Sequence, residues 1–410
     1  MQTTLAPEFQ NTPEGQEAEA ILRKCVHCGF CTATCPTYQI LGDELDGPRG
    51  RIYLMKQVLE GKPVTRSTQL HLDRCLTCRN CESTCPSGVQ YGRLVDIGRT
   101  IVEQRVERPA PEKALRWMLK EGLTSPAFKP ALALGKLARP FLPEALRAKL
   151  PGAQPERAHR WPTRTHPRKV LMLLGCVQPA MMPNVNSATA RVLDAAGIQT
   201  LVADDAGCCG ALRAHLADHD GGLADMRRNV DAWWPLVSAG TVEAIVMNAS
   251  ACGAQVKDYG HALRNDPAYA ERAARISALT RDLSELLPDL VPKLKPRLQR
   301  RGVSQVAFHP PCTLQHGQQL RGGVEKALAE LGFDVKLAAS EAHLCCGSAG
   351  TYSVLQPELS KQLRDRKLGH LAPLQPQVIV SANVGCIQHL QSGTSTPVKH
   401  WVELVDESLA

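Results

Sequence analysis

The sequence predicts a mixed α+β protein, in which an all-helical N-terminal domain is followed by two repeated α/β modules with Rossmann-like parallel sheets. One observation is a cysteine pattern that occurs twice between Cys25 and Cys85, with apolar residues at helical spacing around both copies. Another is a longer repeat from Val170 onward, in which short β-branched runs alternate with helical stretches. Because the two copies of that repeat are similar, we expect them to pack about an approximate two-fold axis.

These patterns divide the chain into four parts. We expect a helical domain over residues 1–107, a basic and proline-rich connecting segment over 108–169, a first α/β module with connecting helices over 170–301, and a second module over 302–410. A chain of 410 residues is long enough for two or three domains that each bury an apolar core.

Helical spacing is found on both sides of the cysteine runs. Residues 17–22 lead the chain to the first run, and residues 52–59 carry apolar side chains at helical intervals between the runs. Residues 69–73 form a helical approach to the second run, and residues 91–106 present one apolar face over about four turns. We therefore expect the cysteine runs to lie in loops between helices.

The two cysteine runs both read C-x2-C-x2-C-x3-C-P, which is the run of bacterial ferredoxins. In such a run the first three thiolates bind one 4Fe-4S cluster, and the fourth reaches the other cluster because the following proline turns the chain away. This predicts one cluster bound by Cys25, Cys28, Cys31 and Cys85, and a second bound by Cys75, Cys78, Cys81 and Cys35.

Zinc binding and disulfide bridges are the alternatives for these eight cysteines. Zinc sites usually use two separated C-x-x-C pairs, whereas each run here has four cysteines within eleven residues. The polar start of the chain has neither a basic region nor an apolar core of a signal peptide, so we expect a reducing, cytoplasmic environment. Both observations favour iron–sulfur clusters.

The second repeat carries the other eight cysteines. Each copy begins with a short strand that ends in a cysteine, continues through a helix to a Cys-Cys-Gly triplet, and closes with a second strand and a final cysteine. Parallel strands that feed cysteines into the following loops bring the sulfur atoms to the carboxyl edge of the sheet. The two sets are Cys176, Cys208, Cys209, Cys252 and Cys312, Cys345, Cys346, Cys386.

Four cysteines in each copy are enough for one iron–sulfur centre, so we expect one or two further centres. The alternative is that these cysteines are buried as apolar thiols. A disulfide within a vicinal pair is disfavoured, because adjacent α-carbons are only about 3.8 Å apart. Three histidines lie near these cysteines in the sequence: His309, His316 and His343. Their alternative roles are those of proton donors or ligands and those of ordinary structural histidines.

The net charge of +8 is concentrated in one segment. Between Arg108 and Lys169 there are fourteen Lys or Arg and four Asp or Glu residues, and apolar side chains such as Phe141 and Leu142 are interleaved with them. Short basic helices of this kind pack on the protein itself or lie against anionic lipid. We expect residues 151–167 to be a linker that packs only on the protein itself. For the part of the segment before residue 151, both packing on the protein and contact with lipid stay open.

Three further patterns bear on the function. The charged stretch Gly47–Arg51 is predicted to be a turn with solvated arginines, the alternative being that they tune a metal centre or contact a partner. Aromatic residues make up only 4% of the chain and form no stripe in basic surroundings, so we do not expect a nucleic-acid partner. No stretch approaches the length of about 18 apolar residues that a spanning helix needs.

The chain resembles a known family. Its two modules, of the CCG or cysteine-rich type, resemble those of heterodisulfide reductases, of a succinate:quinone oxidoreductase subunit and of anaerobic glycerol-3-phosphate dehydrogenase. Nearly all 410 residues are similar to the iron–sulfur subunits of bacterial glycolate oxidase. The stretches that carry this similarity are CVHCGFCTATCPTY, GDELDGPRGRIYL, CLTCRNCESTCPSGV, HLCCGSAGTY and HWVELV.

The resemblance implies an electron-transfer subunit of a complex that oxidises glycolate to glyoxylate. Iron–sulfur clusters move one electron at a time, so a flavin must accept the hydride first. No G-x-G-x-x-G follows a predicted strand, so we expect no flavin on this chain and FAD-bearing glycolate oxidase subunits as partners. Electrons would then reach membrane quinone, with the chain peripheral on the cytoplasmic face of the inner membrane and no catalytic residue of its own.

The chain departs from the fullest pattern of these modules, which ends in C-x-x-C. Ala249 and Asn383 stand three residues before Cys252 and Cys386, where that pattern has a cysteine. The five-thiolate centre and the disulfide-reducing chemistry of the reductases therefore do not carry over directly. The alternatives are a subunit of a related lactate or glycerol-3-phosphate dehydrogenase, or a catalytic subunit of the heterodisulfide-reductase kind.

Overall fold

The computed structural model describes residues 1–125, 127–138, 158–299 and 305–409. It confirms the predicted fold class, because a helical N-terminal part precedes two modules that each contain a four-stranded parallel sheet. The predicted boundary between the modules, at residues 301 and 302, lies outside the described residues, as do Phe141, Leu142 and residues 151–157 of the predicted linker.

The N-terminal part is built from short helices whose apolar faces meet in one core. Thr12 and Thr65 cap two of these helices by accepting hydrogen bonds from the backbone N–H groups of Gly15 and Thr68. The core contains residues that the helical spacing placed on apolar faces, including Leu22. The helices are Pro7–Gln10, Pro13–Lys24, Phe30–Ala33, Pro36–Leu41, Pro48–Leu59, Arg66–Asp73, Asn80–Thr84 and Tyr91–Arg105, with a 3-10 turn at Glu44–Asp46.

The charged stretch Gly47–Arg51 is not the solvated turn that the sequence predicts. Pro48 begins the helix Pro48–Leu59, since proline is well suited to a first helical turn. Arg49 is partly exposed and pairs with Glu44, whereas Arg51 is buried. The prediction was wrong for Arg51, because its partners come from other parts of the chain.

Each module has a parallel sheet with the same strand order. The inner strands read as apolar runs because helices cover both faces of a parallel sheet. The first sheet has the order β2-β1-β3-β4, with β1 Arg168–Met172, β2 Ile198–Leu201, β3 Ala244–Met247 and β4 Thr280–Asp282. The second has the order β6-β5-β7-β8, with β5 Gln305–Phe308, β6 Asp334–Lys336, β7 Val378–Ser381 and β8 Val398–His400.

The edge strands β4 and β8 show where the sequence reading was incomplete. The sequence predicts connecting helices at the end of the first module, but β4 lies there and pairs with β3. A three-residue strand with the sequence Thr-Arg-Asp has no alternating or continuous apolar pattern, so it left no signal.

Helices connect the strands of both modules. Those of the first module are Gln178–Met181, Pro183–Ala195, Ala211–His215, His219–Ser238, Ser250–Lys257, Tyr259–Ala262, Ala270–Leu279 and Leu287–Leu294, with 3-10 turns at Leu283–Leu286 and Lys295–Arg297. Those of the second are Gly323–Glu330, Tyr352–Leu355, Pro357–Leu371, Val384–Gln391 and Trp401–Glu407, with a π-helix at Thr313–Gly317 and a 3-10 turn at Ala372–Leu374.

The two modules pack about an approximate two-fold axis. The helix after the first strand of each module packs on the helix after the last strand of the other: Pro183–Ala195 on Trp401–Glu407, and Gly323–Glu330 on Leu287–Leu294. Asp282 and His400, which end the last strands, both form a capping box with a glutamate three residues later. One apolar core spans both modules.

The described part of the basic segment forms two helices, Ala110–Thr124 and Phe128–Ala138. Arg108 and Arg116 both pair with Asp73 of the N-terminal part, and Glu121 pairs with Arg213 of the first module. The segment therefore bridges two parts of the protein through ion pairs. Among the described residues, no helix is both long and apolar enough to cross a membrane.

Candidate metal centres

The two ferredoxin-like loops share an unusual backbone. In both, the residues on either side of the middle cysteine adopt positive φ angles: His27 and Gly29 around Cys28, and Thr77 and Arg79 around Cys78. Three of these four residues are not glycine, so this conformation is strained and must be held by the surroundings. Left-handed residues curl the chain tightly, which allows three cysteines of one loop to face a common point.

The first four-cysteine set surrounds a cavity that draws on both runs. The loop supplies Cys25, Cys28 and Cys31, and Cys85 of the second run reaches the same cavity. Burial, together with the charges of neighbouring thiolates that include Cys85, raises the pKa of the Cys31 thiol to about 11. The structure therefore brings together the four residues that the crossed arrangement predicts for one cluster.

The second set is the mirror of this arrangement. Cys75, Cys78 and Cys81 line a cavity together with Cys35, which comes from the first run. Burial raises the pKa of the Cys81 thiol well above its ordinary value, and the other three thiolates of the set act in the same direction. Each fourth cysteine thus lies with the set of the opposite run.

Polar groups surround the second set. The Tyr91 hydroxyl donates to Cys75 Sγ at 3.6 Å, and the Thr77 backbone N–H donates to the same sulfur at 3.4 Å. Thr37 Oγ1 lies 3.3 Å from Cys35 Sγ. Arg51 donates to Thr37 Oγ1 at 3.2 Å, which places a buried positive charge next to this set. Sequence reasoning took Tyr91 only as part of an apolar face.

The first set lies at the protein surface. Cys28 is exposed, and Val26 and Phe30 of the same loop are 68% and 61% exposed. In the second set, Cys75 and Cys81 are buried. The two sets therefore differ in access to solvent and to other proteins.

In the first α/β module the four predicted cysteines also converge. Cys208 hydrogen-bonds with Cys176 and Cys209, and these contacts lower the pKa of the Cys208 thiol. Cys209 in turn contacts Cys252, which belongs to the helix after β3. The Gly210 N–H also donates to Cys208 Sγ at 3.4 Å.

The glycine of each Cys-Cys-Gly triplet is required for two reasons. Gly210 and Gly347 have φ angles of 88° and 89°. A Cβ atom at Gly210 would lie 2.8 Å from the Gly222 carbonyl oxygen, and one at Gly347 would lie 2.5 Å from that of Ser360. The glycine therefore permits both the left-handed turn and the close approach of the next helix.

The second module repeats this geometry. Cys312 Sγ lies 3.8 Å from Cys345 Sγ, and Cys346 hydrogen-bonds with Cys386. The Gly347 N–H donates to Cys345 Sγ at 3.4 Å, as in the first module. The π-helix Thr313–Gly317 begins directly after Cys312, and such helices are frequent at functional sites.

The second four-cysteine set adjoins the cysteines of the second module. Burial raises the pKa of the Cys78 thiol well above its ordinary value, and the next contribution comes from the charge of Cys312. Leu76, Cys312 and Cys345 share one small buried cluster, against which Cys78 packs. Ser83 Oγ of the N-terminal part also lies 3.0 Å from His316 Nδ1 of the second module. These two sites are therefore direct neighbours.

The three histidines near these cysteines have different surroundings. His343 is exposed, and both ring nitrogens of His316 have partners, Ser83 Oγ and the His343 carbonyl oxygen. His309 is 1% exposed, and burial lowers its pKa well below the ordinary value. The buried Lys367, whose charge acts on Cys345 and Cys346, left no signal in the sequence.

The donor groups of the N-terminal part fit iron–sulfur clusters. Each set has four thiols around one cavity, and a 4Fe-4S cluster takes four thiolates. Backbone N–H and hydroxyl groups face the sulfur atoms of the second set, as in the surroundings that tune such clusters. All sixteen cysteines are free thiols.

Comparison with family models defines the class of the protein. A model described as a 4Fe-4S dicluster domain matches residues 21–89, and one described as a cysteine-rich domain matches residues 170–257 and 306–391. These matches coincide with the helical part that carries the two cysteine runs and with the two sheet modules. The protein is an iron–sulfur protein with one dicluster domain and two cysteine-rich domains.

Individual relatives narrow this class. The chain is 56% identical to the glycolate oxidase iron-sulfur subunit of Escherichia coli strain K12, over 100% of this chain and 99% of that one. It is 30% identical to a probable glycolate oxidase iron-sulfur subunit of Bacillus subtilis, over 94% and 92%. A lactate utilization protein A of Geobacillus thermodenitrificans is 27% identical over 54% of this chain. The chain belongs to the family of glycolate oxidase iron-sulfur subunits.

Proposed function

We propose that the protein is the electron-transfer subunit of a flavin-dependent glycolate oxidase complex. The observation that carries the proposal is the pair of crossed cysteine sets, one at the surface and one against the second module. We assign Cys25, Cys28, Cys31 and Cys85 to one 4Fe-4S cluster and Cys75, Cys78, Cys81 and Cys35 to another. When bound, these clusters supply one-electron transfer.

The substrate and the partners follow from family membership and from chemistry. Oxidation of glycolate to glyoxylate releases a hydride equivalent, which a flavin can accept and pass on as single electrons. The proposal places FAD and glycolate on partner subunits, and it makes membrane quinone the acceptor. The chain would then be peripheral on the cytoplasmic face of the membrane.

The positions of the sites support an electron path between the protein surface and the second module. The exposed edge around Cys28 is the accessible end for a redox partner, whereas Cys78 lies next to Cys312 in the interior. We propose further centres in the two modules, bound by Cys176, Cys208, Cys209, Cys252 and by Cys312, Cys345, Cys346, Cys386.

The proposal also keeps the predicted division of the chain, in which the first three parts end at residues 107, 169 and 301.

Iron and acid-labile sulfide, measured per chain after anaerobic purification, test the cofactor content. We expect about twelve or sixteen irons if one or both modules hold a 4Fe-4S centre. About eight irons would confine the clusters to the N-terminal part and would contradict centres in the modules. Reduced-state EPR identifies the cluster types.

Double variants test the crossed assignment. If Cys28 and Cys85 bind the same cluster, the variant that combines Cys28→Ser with Cys85→Ser should lose about four irons, as each single variant does. Combining Cys28→Ser with Cys35→Ser should remove about eight. The reverse pattern would show that each run binds its own cluster, and circular dichroism checks that the variants remain folded.

Co-purification with partner subunits tests the substrate. We expect affinity-purified complex to contain flavin and to reduce the EPR-active clusters on addition of glycolate. Reduction by lactate or glycerol 3-phosphate and not by glycolate would favour the related dehydrogenases, and the lactate utilization relatives, which cover 54% of this chain, support that alternative only distantly. Disulfide reduction by the isolated chain would favour the reductase alternative.

Vesicle flotation tests association with lipid through the basic segment. The side chains of Arg108 and Arg116 already pair with Asp73, so they are unsuitable targets. Lys113 and Lys129 are the better choice, since Lys129 is exposed and Lys113 forms its ion pair with the exposed Glu107. If their replacement by glutamine leaves binding to anionic vesicles unchanged, these helices do not carry the membrane contact.

A further inference from the structure

His309 is a buried histidine whose ring has no hydrogen-bond partner among the described residues. Its side chain is 1% exposed, and neither Nδ1 nor Nε2 is bonded to another protein atom. A buried imidazole without partners is costly, and buried polar groups are almost always paired. Two other histidines of this module, the buried His316 and the half-buried His389, have partners. His309 therefore needs a ligand that the protein atoms do not supply.

The ring of His309 lies among the cysteines of the second module. One ring nitrogen, Cys346 Sγ and Cys386 Sγ all lie within 4.8 Å of one another. The two other cysteines of the set, Cys312 and Cys345, are 3.8 Å apart, and Cys345 is adjacent to Cys346. The imidazole thus adds a fifth donor to a set of four thiols.

The backbone holds His309 firmly in this position. It directly follows β5, and its N–H donates to the Val380 carbonyl oxygen of β7 at 2.8 Å. The Ser381 hydroxyl donates to the His309 carbonyl oxygen at 2.9 Å. Because Cys386 belongs to the helix that follows β7, both donors come from the carboxyl edge of the same sheet.

The first module lacks this donor. Val170–Cys176 and Val306–Cys312 are equivalent stretches, and in them Leu173 takes the place of His309. Leu173 is also buried, but it has no atom that can bind a metal. The two modules therefore share their cysteines and differ in one candidate ligand.

We propose that His309 is a ligand of an iron–sulfur centre in the second module, together with the thiolates of its cysteines. Imidazole and thiolate are both good iron ligands, and five donors exceed the four that a structural zinc ion takes. The position of the set beside Cys78 suits a redox centre. This inference rests on the proposed electron-transfer function insofar as it requires a centre in the second module.

Pulsed EPR of the anaerobically purified full-length chain tests the proposal. In the paramagnetic oxidation state of the centre, we expect a nitrogen coupling from the bound imidazole. This coupling should change when the protein is expressed with 15N-labelled histidine. The coupling should disappear in His309→Cys, where a thiolate replaces the imidazole and the iron content is maintained. The midpoint potential of this centre should fall, because histidine ligation raises the potential of iron–sulfur clusters.

His316→Gln is the matched control. His316 is also buried beside the same cysteines, but its ring nitrogens are already occupied, so the variant should retain the nitrogen coupling. The isotope measurement on the unaltered protein stands even if His309→Cys fails to fold. An iron content above about eight per chain, with no nitrogen coupling in the EPR signal of the additional centre, overturns the proposal. Zinc in place of iron in the second module also overturns it. About eight irons with normal electron transfer also overturns it, while the proposed function stands.

Discussion

Single residues around the two N-terminal cysteine sets predict different redox behaviour. The second set receives a hydrogen bond from Tyr91 and lies near the buried Arg51. The first set has the exposed Cys28 at its edge. Hydrogen bonds to ligand sulfur and positive charge stabilise the reduced, more negative state of a cluster. The second cluster should therefore depend on Tyr91 in a way that the first does not.

Replacement of Tyr91 by phenylalanine tests this dependence. The substitution removes one O–H donor to Cys75 Sγ and leaves the ring in place. A hydrogen bond of about 0.5–1.5 kcal/mol corresponds to about 20–60 mV for a one-electron couple, so we expect the potential of the second cluster to fall by that amount. Potentiometric EPR titration measures the shift.

Tyr53→Phe is the control for that substitution. Tyr53 lies on the helix Pro48–Leu59 and is 46% exposed, so its hydroxyl is replaced by water without loss. Neither potential should change in this variant. Equal shifts of both clusters in Tyr91→Phe would contradict a local hydrogen-bond effect.

His400 gives the stability of the protein a defined pH dependence. Its Nδ1 accepts from the Val402 N–H at 3.1 Å, and Nε2 donates to the Asn248 carbonyl oxygen of the other module at 2.8 Å. Burial lowers the pKa of His400 from its ordinary value of 6.5 to about 3. The unfolded chain then binds one more proton than the folded chain between these two values.

The sign of the effect follows from that difference. The stabilisation is fully present above pH 6.5 and is lost as pH falls toward 3, by at most about 1.4 kcal/mol per pH unit. We expect His400→Gln to flatten the dependence of the unfolding midpoint on pH between 6.5 and 5. His219→Gln, at an exposed position, should leave the slope unchanged. An unchanged slope in His400→Gln would contradict the assignment.

Among individual residues, the sequence predicted the cysteines and missed most of their neighbours. Cysteine spacing is a local property, so all sixteen cysteines could be assigned to sets that the structure brings together. Arg51, in contrast, is buried through contacts with the Thr37 hydroxyl and the His71 carbonyl oxygen, which lie 14 and 20 residues away in the sequence. Such contacts leave no periodic pattern.

At the level of elements, the Cys-Cys-Gly turns are the most constrained part of the modules. Gly347→Ala adds a Cβ atom 2.5 Å from the Ser360 carbonyl oxygen and also forces alanine into a left-handed conformation. The conformation alone costs about 1–2 kcal/mol, and the clash adds to it. We expect a lower unfolding midpoint together with loss of any iron held by the second module.

Gly240→Ala separates the two contributions. Gly240 also has a positive φ angle, but no atom of the described residues other than its chain neighbours lies within 4 Å of the point that an added Cβ atom would occupy. This variant should therefore lose only the conformational part, about 1–2 kcal/mol, and should keep its iron. Equal destabilisation in both variants would show that the approach of the helix Pro357–Leu371 is not important.

The strands show which elements could be predicted. Strands β3 and β7 are buried throughout and β1 is buried from Val170 to Met172, and in each case the apolar run predicts a strand. Strands β4 and β8 have three residues each, and in both a polar or charged residue lies among the few available positions. Their existence depends on pairing with β3 and β7, which is a tertiary property.

For the whole molecule, the arrangement of the sites predicts unequal exposure to reagents. The edge of the first set is open to solvent at Cys28, while the second set lies between the N-terminal helices and the second module. We expect an iron chelator to remove about four irons rapidly and the remainder slowly. Absorbance and EPR, followed together, identify the cluster that is lost first; a single phase would contradict the difference in exposure.

The approximate two-fold symmetry of the modules was predictable from the repeat, but their electrostatic difference was not. In the first module, burial and the charge of Cys208 together raise the pKa of Asp225 to about 6. In the second, the buried Lys367 lies near Cys345 and Cys346. Two copies with the same strands and cysteines therefore differ in the charged side chains that lie near their thiols.

The crossed cysteine sets also have a consequence for biogenesis. Cys85 completes the set that begins at Cys25, so neither four-cysteine set is complete until the ribosome has released both runs. At about 5–20 residues per second, the 60 residues from Val26 to Cys85 take about 3–12 s to synthesise. Until then neither set has all four of its thiols, so we expect cluster insertion into the N-terminal domain to follow the synthesis of both runs.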